Sequence, residues 1–523
     1  MTAHGAVPQE RLRPGGPPQG NIAGNAHRVR KIHRLVKRGD IAKVRDHLQR
    51  KPADVNSYDE RGYTPLMCGV EGTKACVDLV RLLIECGADI HAVTKQSIPR
   101  PVVSVCLAGG DPKKLEVLIE HGVDLHYQRD GGYDALIDAA YGPDASLLER
   151  LHILLAHSIA LNAVTTYNES GLRELSRRGR FDAVQVLLAA GADEAQLAWT
   201  PLIRAVVLGT LADVEREAKH ASDLEATDYS ARTAFLVAVQ IGDIAKARLF
   251  RDFGANMDAC SRGGKGAISY AIENQNQAML RWLIDAGFDA ERTSDSGKTP
   301  LMTAAEYHNA QAVELLLASG VDVNRANAYG ETALAATESP DIANRLLEAG
   351  ANPADLPSVA RRAMLGFDSE DQDEAFLSVS AEDSQKGWAR RLGTENPEEM
   401  DEPFWKAMIQ CGTSAYQGGV WFGRQDGQSP VWCTQRFGQT FNRLPDGRII
   451  QIAGEHEDSY DEGFCIYSDV FVHTPNGEIQ IFGYPEAVFP PADFHTATLV
   501  GEYLYIVGSL GYYGQGIFGV TPV

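Results

Sequence analysis

The chain has 523 residues, a formal net charge of -21 and a sequence pI near 5.1. This length exceeds one ordinary domain. The negative charge disfavours binding to phosphate backbones, so nucleic acid is not expected as a partner. No apolar run approaches the roughly 18 residues of a membrane span. The eight cysteines show no Cys-x-x-Cys spacing, which favours reduced thiols and a cytoplasmic location.

The N-terminal segment differs from the rest of the chain. Residues 1–28 are rich in Gly, Pro, Gln and Arg, and we predict that they form a disordered tail. Residues 1–50 carry a net charge of +8, so the remainder carries -29. Two interpretations stay open: a solvated first helix whose cations pair with acidic neighbours, or a basic arm for an acidic partner or membrane surface.

A period of 33 residues organises the chain from about 29 to 353. Gly297 stands two residues ahead of Thr299, and glycine or alanine recurs in steps of 33 at Ala198, Ala231, Gly264 and Gly330. Each block reads as a turn, a short helix and a second helix rich in leucine. Such a short unit cannot bury its own apolar face, so we predict stacked copies.

One block shows why the pattern predicts helices. Thr299 can cap the first helix, and Pro300 suits the first helical position, where no N–H is needed. In the second helix, Val313 and Leu316 lie on one apolar face. Gly320 then ends that helix at a position that favours a left-handed residue.

The block resembles the ankyrin repeat, whose signature is Thr-Pro-Leu-His-x-Ala. The matching segments begin at Thr64, Thr200, Thr299 and, more weakly, Thr332. The usual His is replaced by Met67, Ile203, Met302 and Ala335, so one hydrogen bond of the family should be missing. The resemblance implies an α-solenoid of about nine or ten ankyrin-type units over 29–353. It also implies binding of protein partners through turn tips and the concave helix face.

The predicted turn tips supply the candidate partner-binding residues. They are Asp59, Arg61, Tyr63, Gln128, Asp130, Asp228, Tyr229, Arg325, Asn327 and Tyr329. Acidic tips are expected to attract basic patches on a partner. The repeat spacing departs before Gly87, around Gly142–Leu148 and after Gly191, where altered loops are expected.

The composition changes after residue 353. An acidic linker is predicted over 354–403, and residues 404–523 hold 21 of the 41 aromatic residues of the chain. Alternating apolar residues, such as Ile450 and Ile452, predict short β-strands there. The stretch from 437 to 523 resembles a kelch propeller blade, which implies a small β-rich, kelch-like domain, apparently incomplete.

The densest polar cluster in this β-rich domain is Glu455, His456, Glu457 and Asp458. Three interpretations remain open: a solvated loop, a partner contact or a Ca²⁺ site. No phosphate-binding loop or hydrolase motif is present, and we expect neither cofactor nor metal. The leading hypothesis is a non-enzymatic scaffold that binds partner proteins. The alternative is a small hydrolase or metal-dependent site in the C-terminal domain.

Overall fold

The computed structural model describes residues 31–352, 355–357, 360, 364, 379–412, 432–458, 461–474 and 477–508. For residues 381, 457–458 and 461–464 it describes the backbone alone. The chain divides into two compact units. Unit 1 contains residues up to 209 together with 226–230, and unit 2 contains 210–225 and the residues from 231 onward.

Both units contain short helices in the order that the 33-residue period predicts, except that residues 333–336, after Thr332, form turns where a first helix was expected. In unit 1 they are α1 (Ile41–Arg50), α2 (Pro65–Glu71), α3 (Val77–Glu85), α4 (Val102–Gly109), α5 (Pro112–Glu120), α6 (Ala135–Tyr141), α7 (Leu147–Ala156), α8 (Gly171–Arg177), α9 (Phe181–Ala189) and α10 (Pro201–Leu208). In unit 2 they are α11 (Leu211–His220), α12 (Ala234–Ile241), α13 (Ile244–Asp252), α14 (Ala267–Glu273), α15 (Gln277–Asp285), α16 (Pro300–Glu306), α17 (Ala310–Ala318) and α18 (Pro340–Glu348). Two further helices, α19 (Ala381–Gly387) and α20 (Pro403–Cys411), lie beyond the repeats.

The threonine of each Thr-Pro-Leu segment caps a helix as predicted. The Thr299 hydroxyl accepts the backbone N–H of Met302 at 3.2 Å, and Thr64 makes the same bond to Met67 at 3.3 Å. Met67 and Met302, which replace the usual histidine, make a reciprocal hydrogen bond: the sulfur of each accepts the backbone N–H of its threonine at 3.4 Å. Thioether sulfur therefore occupies the place of the hydrogen bond that was predicted to be missing.

The turns between repeats project as fingers and are joined by backbone hydrogen bonds. In unit 1 Lys95 N–H donates to the carbonyl of Gly62 at 2.9 Å, and in unit 2 Asp295 N–H donates to that of Gly263 at 3.0 Å. The residues at the 33-residue steps are left-handed, including Ala198 (φ 52°) and Ala231 (φ 59°). Alanine tolerates this backbone less well than glycine, so the turn geometry prevails over residue preference.

The second finger of unit 1, which we define as residues 93–101, is longer than its counterparts. Fourteen positions separate Gly87 from the helix cap Pro101, whereas twelve separate Gly122 from the cap Asp134. No backbone hydrogen bond joins this finger to the third finger (128–134) within the described residues. The extra length therefore leaves a gap between the two fingers.

The C-terminal part of unit 2 is built on an antiparallel sheet. Its strands are β1 (Glu398–Glu399), β2 (Thr440–Arg443), β3 (Ile449–Ile452), β4 (Glu455–Asp458), β5 (Asp461–Ile466), β6 (Val470–His473), β7 (Ile479–Gly483), β8 (Thr496–Val500) and β9 (Tyr503–Val507). Five of them form one sheet in the order β1-β7-β6-β3-β2, while β4-β5 and β8-β9 form separate hairpins. None of these sheets closes within the described residues, so they show a β-rich region but no kelch propeller. Because β1 pairs with β7, part of the predicted linker belongs to the sheet.

A buried ion pair lies in the aromatic core that packs α20 against this sheet. Trp405 and Trp432 stack with ring centroids 4.7 Å apart. The Arg436 guanidinium lies 3.5 Å from the ring centre of Tyr467 and forms a bidentate pair with Asp469. The indole N–H of Trp432 also donates to Asp469 at 2.8 Å. One carboxylate therefore satisfies both the buried cation and a buried indole.

Candidate functional site

An open groove of about 740 Å³ lies beside the second finger of unit 1. We call it the finger groove. The first three fingers and the helices α4 and α6 line it, and the side chains that matter most are Arg61, Lys95, Ile98, Arg100, Asp138 and Tyr141. The first helices of neighbouring repeats form its floor and the fingers form its walls. It is thus the place where the extra residues of the second finger open a cavity.

Two of the arginines around the finger groove are held by carboxylates. Arg61 donates to Glu71 at 3.0 Å and lies 4.4 Å from the ring centre of Tyr63. Arg129 forms a bidentate pair with Asp138, a nearly buried carboxylate. These cations are neutralised locally, so they shape the groove wall more than they attract a charged ligand.

Asp138 also holds the tyrosine beneath the third finger. The Tyr127 hydroxyl donates to Asp138 at 2.5 Å. Burial, reinforced by the Asp138 charge, raises the pKa of Tyr127 well above its usual value. The phenol therefore stays protonated at neutral pH and keeps donating, which fixes this wall of the groove.

Lys95 and Arg100 are positioned without a carboxylate. The Lys95 ammonium lies 4.1 Å from the ring centre of Tyr58. Arg100 donates to the Ser104 hydroxyl at 3.1 Å and to the Ser104 carbonyl at 2.9 Å. Within the described residues neither side chain forms an ion pair with an acid. The groove therefore contains two oriented positive charges that form no ion pair within the described residues.

Two apolar side chains lie next to these cations. Ile98, at the end of the second finger, is 56% exposed, and Tyr141, at the end of α6, is 44% exposed. The Tyr141 hydroxyl donates to Glu169 at 3.3 Å. This hydrogen bond anchors the outer end of the ring, and the side chain lines the groove. Together with the cations, they give the groove both apolar and charged contact surface.

The predicted tip residues of unit 1 have different environments. Asp59 is only 9% exposed and accepts the N–H of Tyr63, a ring that is itself buried. Gln128 and Asp130 are exposed on the third finger. Asp228 is buried, and Tyr229 lies beneath Arg173 with its hydroxyl donating to the Asn168 carbonyl. Of these candidates, Arg61 lines the finger groove.

The predicted tip residues of unit 2 share one finger. Arg325 pairs with Glu291 at 2.6 Å. Asn327 accepts the N–H groups of Tyr329 and Glu331 through its side-chain oxygen. Tyr329 is 79% exposed. This finger therefore offers one large exposed ring on a turn fixed by Asn327.

The predicted C-terminal cluster is partly buried. Glu455 and His456 are 9% and 5% exposed, and the side chains of Glu457 and Asp458 lie outside the described residues. His456 Nδ1 is 3.3 Å from the Cys433 sulfur. Burial raises the pKa of Cys433 to about 11, so this thiol is not an activated nucleophile at neutral pH. In the described part of the chain, no three His, Cys, Asp or Glu residues are grouped to hold a metal.

Sequence reasoning missed five of these groove residues: Lys95, Ile98, Arg100, Asp138 and Tyr141. The signal was present in the spacing, because the stretch from Gly87 to Pro101 exceeds the usual one by two residues. Reading that excess as a longer finger would have drawn attention to the exposed isoleucine within it.

The comparisons with known proteins agree with the helical architecture. Residues 268–355 match the family model for ankyrin repeats in three copies, and residues 61–95 match the model for a single ankyrin repeat. The human protein named "DNA-binding protein RFXANK" is 34% identical over 79 residues, which are 15% of this chain and 29% of that protein. The chain thus spans less than a third of this curated relative.

Two further conclusions bear on function. No helix in the described residues is long and apolar enough to cross a membrane. The family matches fall in both units, and ankyrin repeats are in general interaction modules without catalysis of their own. The chain therefore contains ankyrin repeats, whose usual role is to bind other proteins.

Proposed function

We propose that this chain is a non-enzymatic scaffold that binds a partner protein in the finger groove of unit 1. The observation that carries the proposal is the longer second finger, which opens a cavity and exposes Ile98 beside two cations. Apolar contact surrounded by polar groups is the usual composition of a protein-binding surface. A few side chains of such a surface commonly contribute most of the binding energy, and tyrosine and arginine, both present in the groove, are frequent among them.

Several features support a protein partner over nucleic acid or a chemical substrate. The net charge of -21 opposes a phosphate backbone. The groove is open and wide, whereas a site for a small substrate is usually enclosed. In the C-terminal region, the high pKa of Cys433 argues against a thiol hydrolase at the predicted cluster. We also propose a cytoplasmic location, in keeping with unpaired cysteines.

The test compares a groove variant with a tip variant in the full chain. Ile98→Asp replaces the exposed apolar side chain with a carboxylate beside the two cations Lys95 and Arg100, and Tyr329→Ala removes the exposed ring of the unit 2 finger. Partners captured by the wild-type chain are quantified by mass spectrometry against both variants. We expect Ile98→Asp to lose a partner that Tyr329→Ala retains. Loss by Tyr329→Ala alone would place the binding surface on unit 2 and refute the groove.

A further inference from the structure

We infer that the finger groove recognises an extended segment of a partner protein in which a carboxylate lies beside a branched aliphatic or aromatic side chain. This inference rests on the proposed function and adds the chemistry of the partner. It also departs from the expectation that acidic tips attract basic patches. The accessible charges of the groove that lack an ion-pair partner, Lys95 and Arg100, are positive.

The charge argument depends on which cations are already neutralised. Arg61 and Arg129 have carboxylate partners within unit 1, whereas Lys95 and Arg100 have none among the described residues. An incoming carboxylate would therefore gain charge-assisted hydrogen bonds from the latter two without displacing an existing ion pair. A basic ligand would instead meet two uncompensated positive charges.

Both cations are fixed before the ligand arrives. The Tyr58 ring that supports Lys95 is anchored by its hydroxyl, which donates to the Val93 carbonyl at 3.1 Å. Arg100 uses Nε and Nη2 for Ser104, and its Nη1 makes no hydrogen bond within the described residues. Fixed donors lose less conformational entropy on binding, so this arrangement favours specific recognition of a carboxylate over diffuse attraction.

The backbone at Gly62 leaves no room for a larger residue at the base of the second finger. Gly62 has φ +75°, and a Cβ at this position would lie 2.8 Å from backbone atoms of Lys95. This close approach carries the hydrogen bond from Lys95 N–H to the Gly62 carbonyl. The glycine thus holds the base of the second finger against the first finger and sets the position of Lys95.

The number of available cations favours an isolated carboxylate over a polyanion. Glu71 and Asp138 already form ion pairs with Arg61 and Arg129, which leaves Lys95 and Arg100 as the two cations for a ligand. One carboxylate can reach Lys95 and Arg100, while its apolar neighbour covers Ile98 and Tyr141. A protein segment combines these two features, whereas nucleic acid does not.

The experiment selects and then dissects a peptide. The full chain is presented with a randomised pool of fluorescent dodecapeptides, and the preferred sequence is resynthesised with Glu, Gln or Lys at its charged position. We expect the selected peptides to contain Asp or Glu next to Leu, Ile, Val or Phe. By fluorescence anisotropy, the Gln and Lys versions should bind at least about tenfold more weakly than the Glu version.

Charge variants of the protein test the same contact from the other side. Lys95→Gln with Arg100→Gln should weaken the Glu peptide about tenfold and leave the Gln peptide unchanged. The matched control, Arg45→Gln with Lys113→Gln, removes two exposed charges outside the groove and should change neither. Unchanged thermal midpoints of all variants would show that folding is preserved.

Each contrary outcome has a separate meaning. Selected peptides without an acid, or equal binding of the Glu and Gln peptides, would overturn the carboxylate inference while the groove remains a binding site. If Ile98→Asp does not weaken the selected peptide, the groove is not the site and the proposed function fails as well. Labelled duplex DNA provides a further arm, because binding of DNA that depends on Lys95 and Arg100 would replace the peptide with a phosphate ligand.

Discussion

The helical repeats and the C-terminal β-region, which we define as strands β1 to β9 with α20, differ in how far apart along the chain their hydrogen-bond partners lie. In the repeats, Thr299 caps its helix three residues ahead, and finger contacts such as Lys95 to Gly62 recur after about one repeat. In the β-region, Trp432 reaches Asp469 and β1 pairs with β7, about 85 residues away. The contacts of the repeats recur along the chain, whereas each of these long-range contacts of the β-region occurs once. The repeats should therefore tolerate local damage better than the β-region does.

The largest expected effect is the loss of the carboxylate in the β-region core. Asp469→Ala leaves the Arg436 guanidinium buried without its partner and removes the acceptor of the Trp432 indole. We expect a destabilisation of about 3–5 kcal/mol. Denaturant unfolding of the full chain, followed by tryptophan fluorescence, measures it.

An exposed pair provides the control for this substitution. Asp446 pairs with Arg448 at the surface, so Asp446→Ala should cost less than about 1 kcal/mol. Similar losses for the two variants would mean that the Arg436–Asp469 pair is not desolvated as the structure indicates.

A smaller effect is expected in the repeats. Leu316 in α17 is fully buried, so Leu316→Ala should destabilise unit 2 by about 2–5 kcal/mol. Because each repeat packs mainly against its neighbours, hydrogen exchange should rise in α16, α17 and α18 and much less in the β-region, which reaches α18 through Arg443 in β2. Arg325→Ala, on an exposed finger, should cost under about 1 kcal/mol. Increased exchange across β3 and β6 would contradict the separation of the two regions.

The same difference in contact range explains what could be predicted from the sequence. The repeats could be predicted because Thr299 and its counterparts recur at a fixed spacing. The left-handed turn recurs at the same spacing, and even Ala231 adopts it. The strand segments around Ile450 could be predicted from the alternation of apolar and polar residues. The pairing of β1 with β7 was not, because nothing periodic marks it. The finger groove was missed because it arises where the period fails.

Acidification should weaken the β-region first. Burial lowers the pKa of His473 and His495 to about 4, whereas the unfolded chain binds protons near pH 6.5. The unfolded state therefore takes up more protons between pH 6.5 and 4, and stability falls as the pH drops through that window. Each histidine contributes at most about 1.4 kcal/mol per pH unit.

The repeats supply the contrast for this pH effect. Hydrogen bonds from Thr210 and an ion pair with Arg216 lower the pKa of Asp213 to about 2. The stability from this carboxylate is complete above its unfolded pKa near 4 and is lost only as the pH falls toward 2. Urea midpoints at pH 7 and pH 5 should differ for the β-region, and His473→Gln should reduce that difference. An unchanged difference would show that His473 is not the titrating group.

The smallest expected effect concerns the left-handed alanine at a repeat turn. Ala231→Gly relieves the steric cost of φ 59°, which exceeds the entropy that glycine adds to the unfolded chain. We expect a gain of about 0.5 kcal/mol. Ala245→Gly is the matched control: Ala245 is exposed in the first turn of α13, where the same substitution should cost up to about 1 kcal/mol. Thermal melts of the two variants should therefore shift in opposite directions. A loss at both positions would mean that the turn at 231 relaxes out of the left-handed region, and that the 33-residue period fixes the turn less firmly than the fingers on either side suggest.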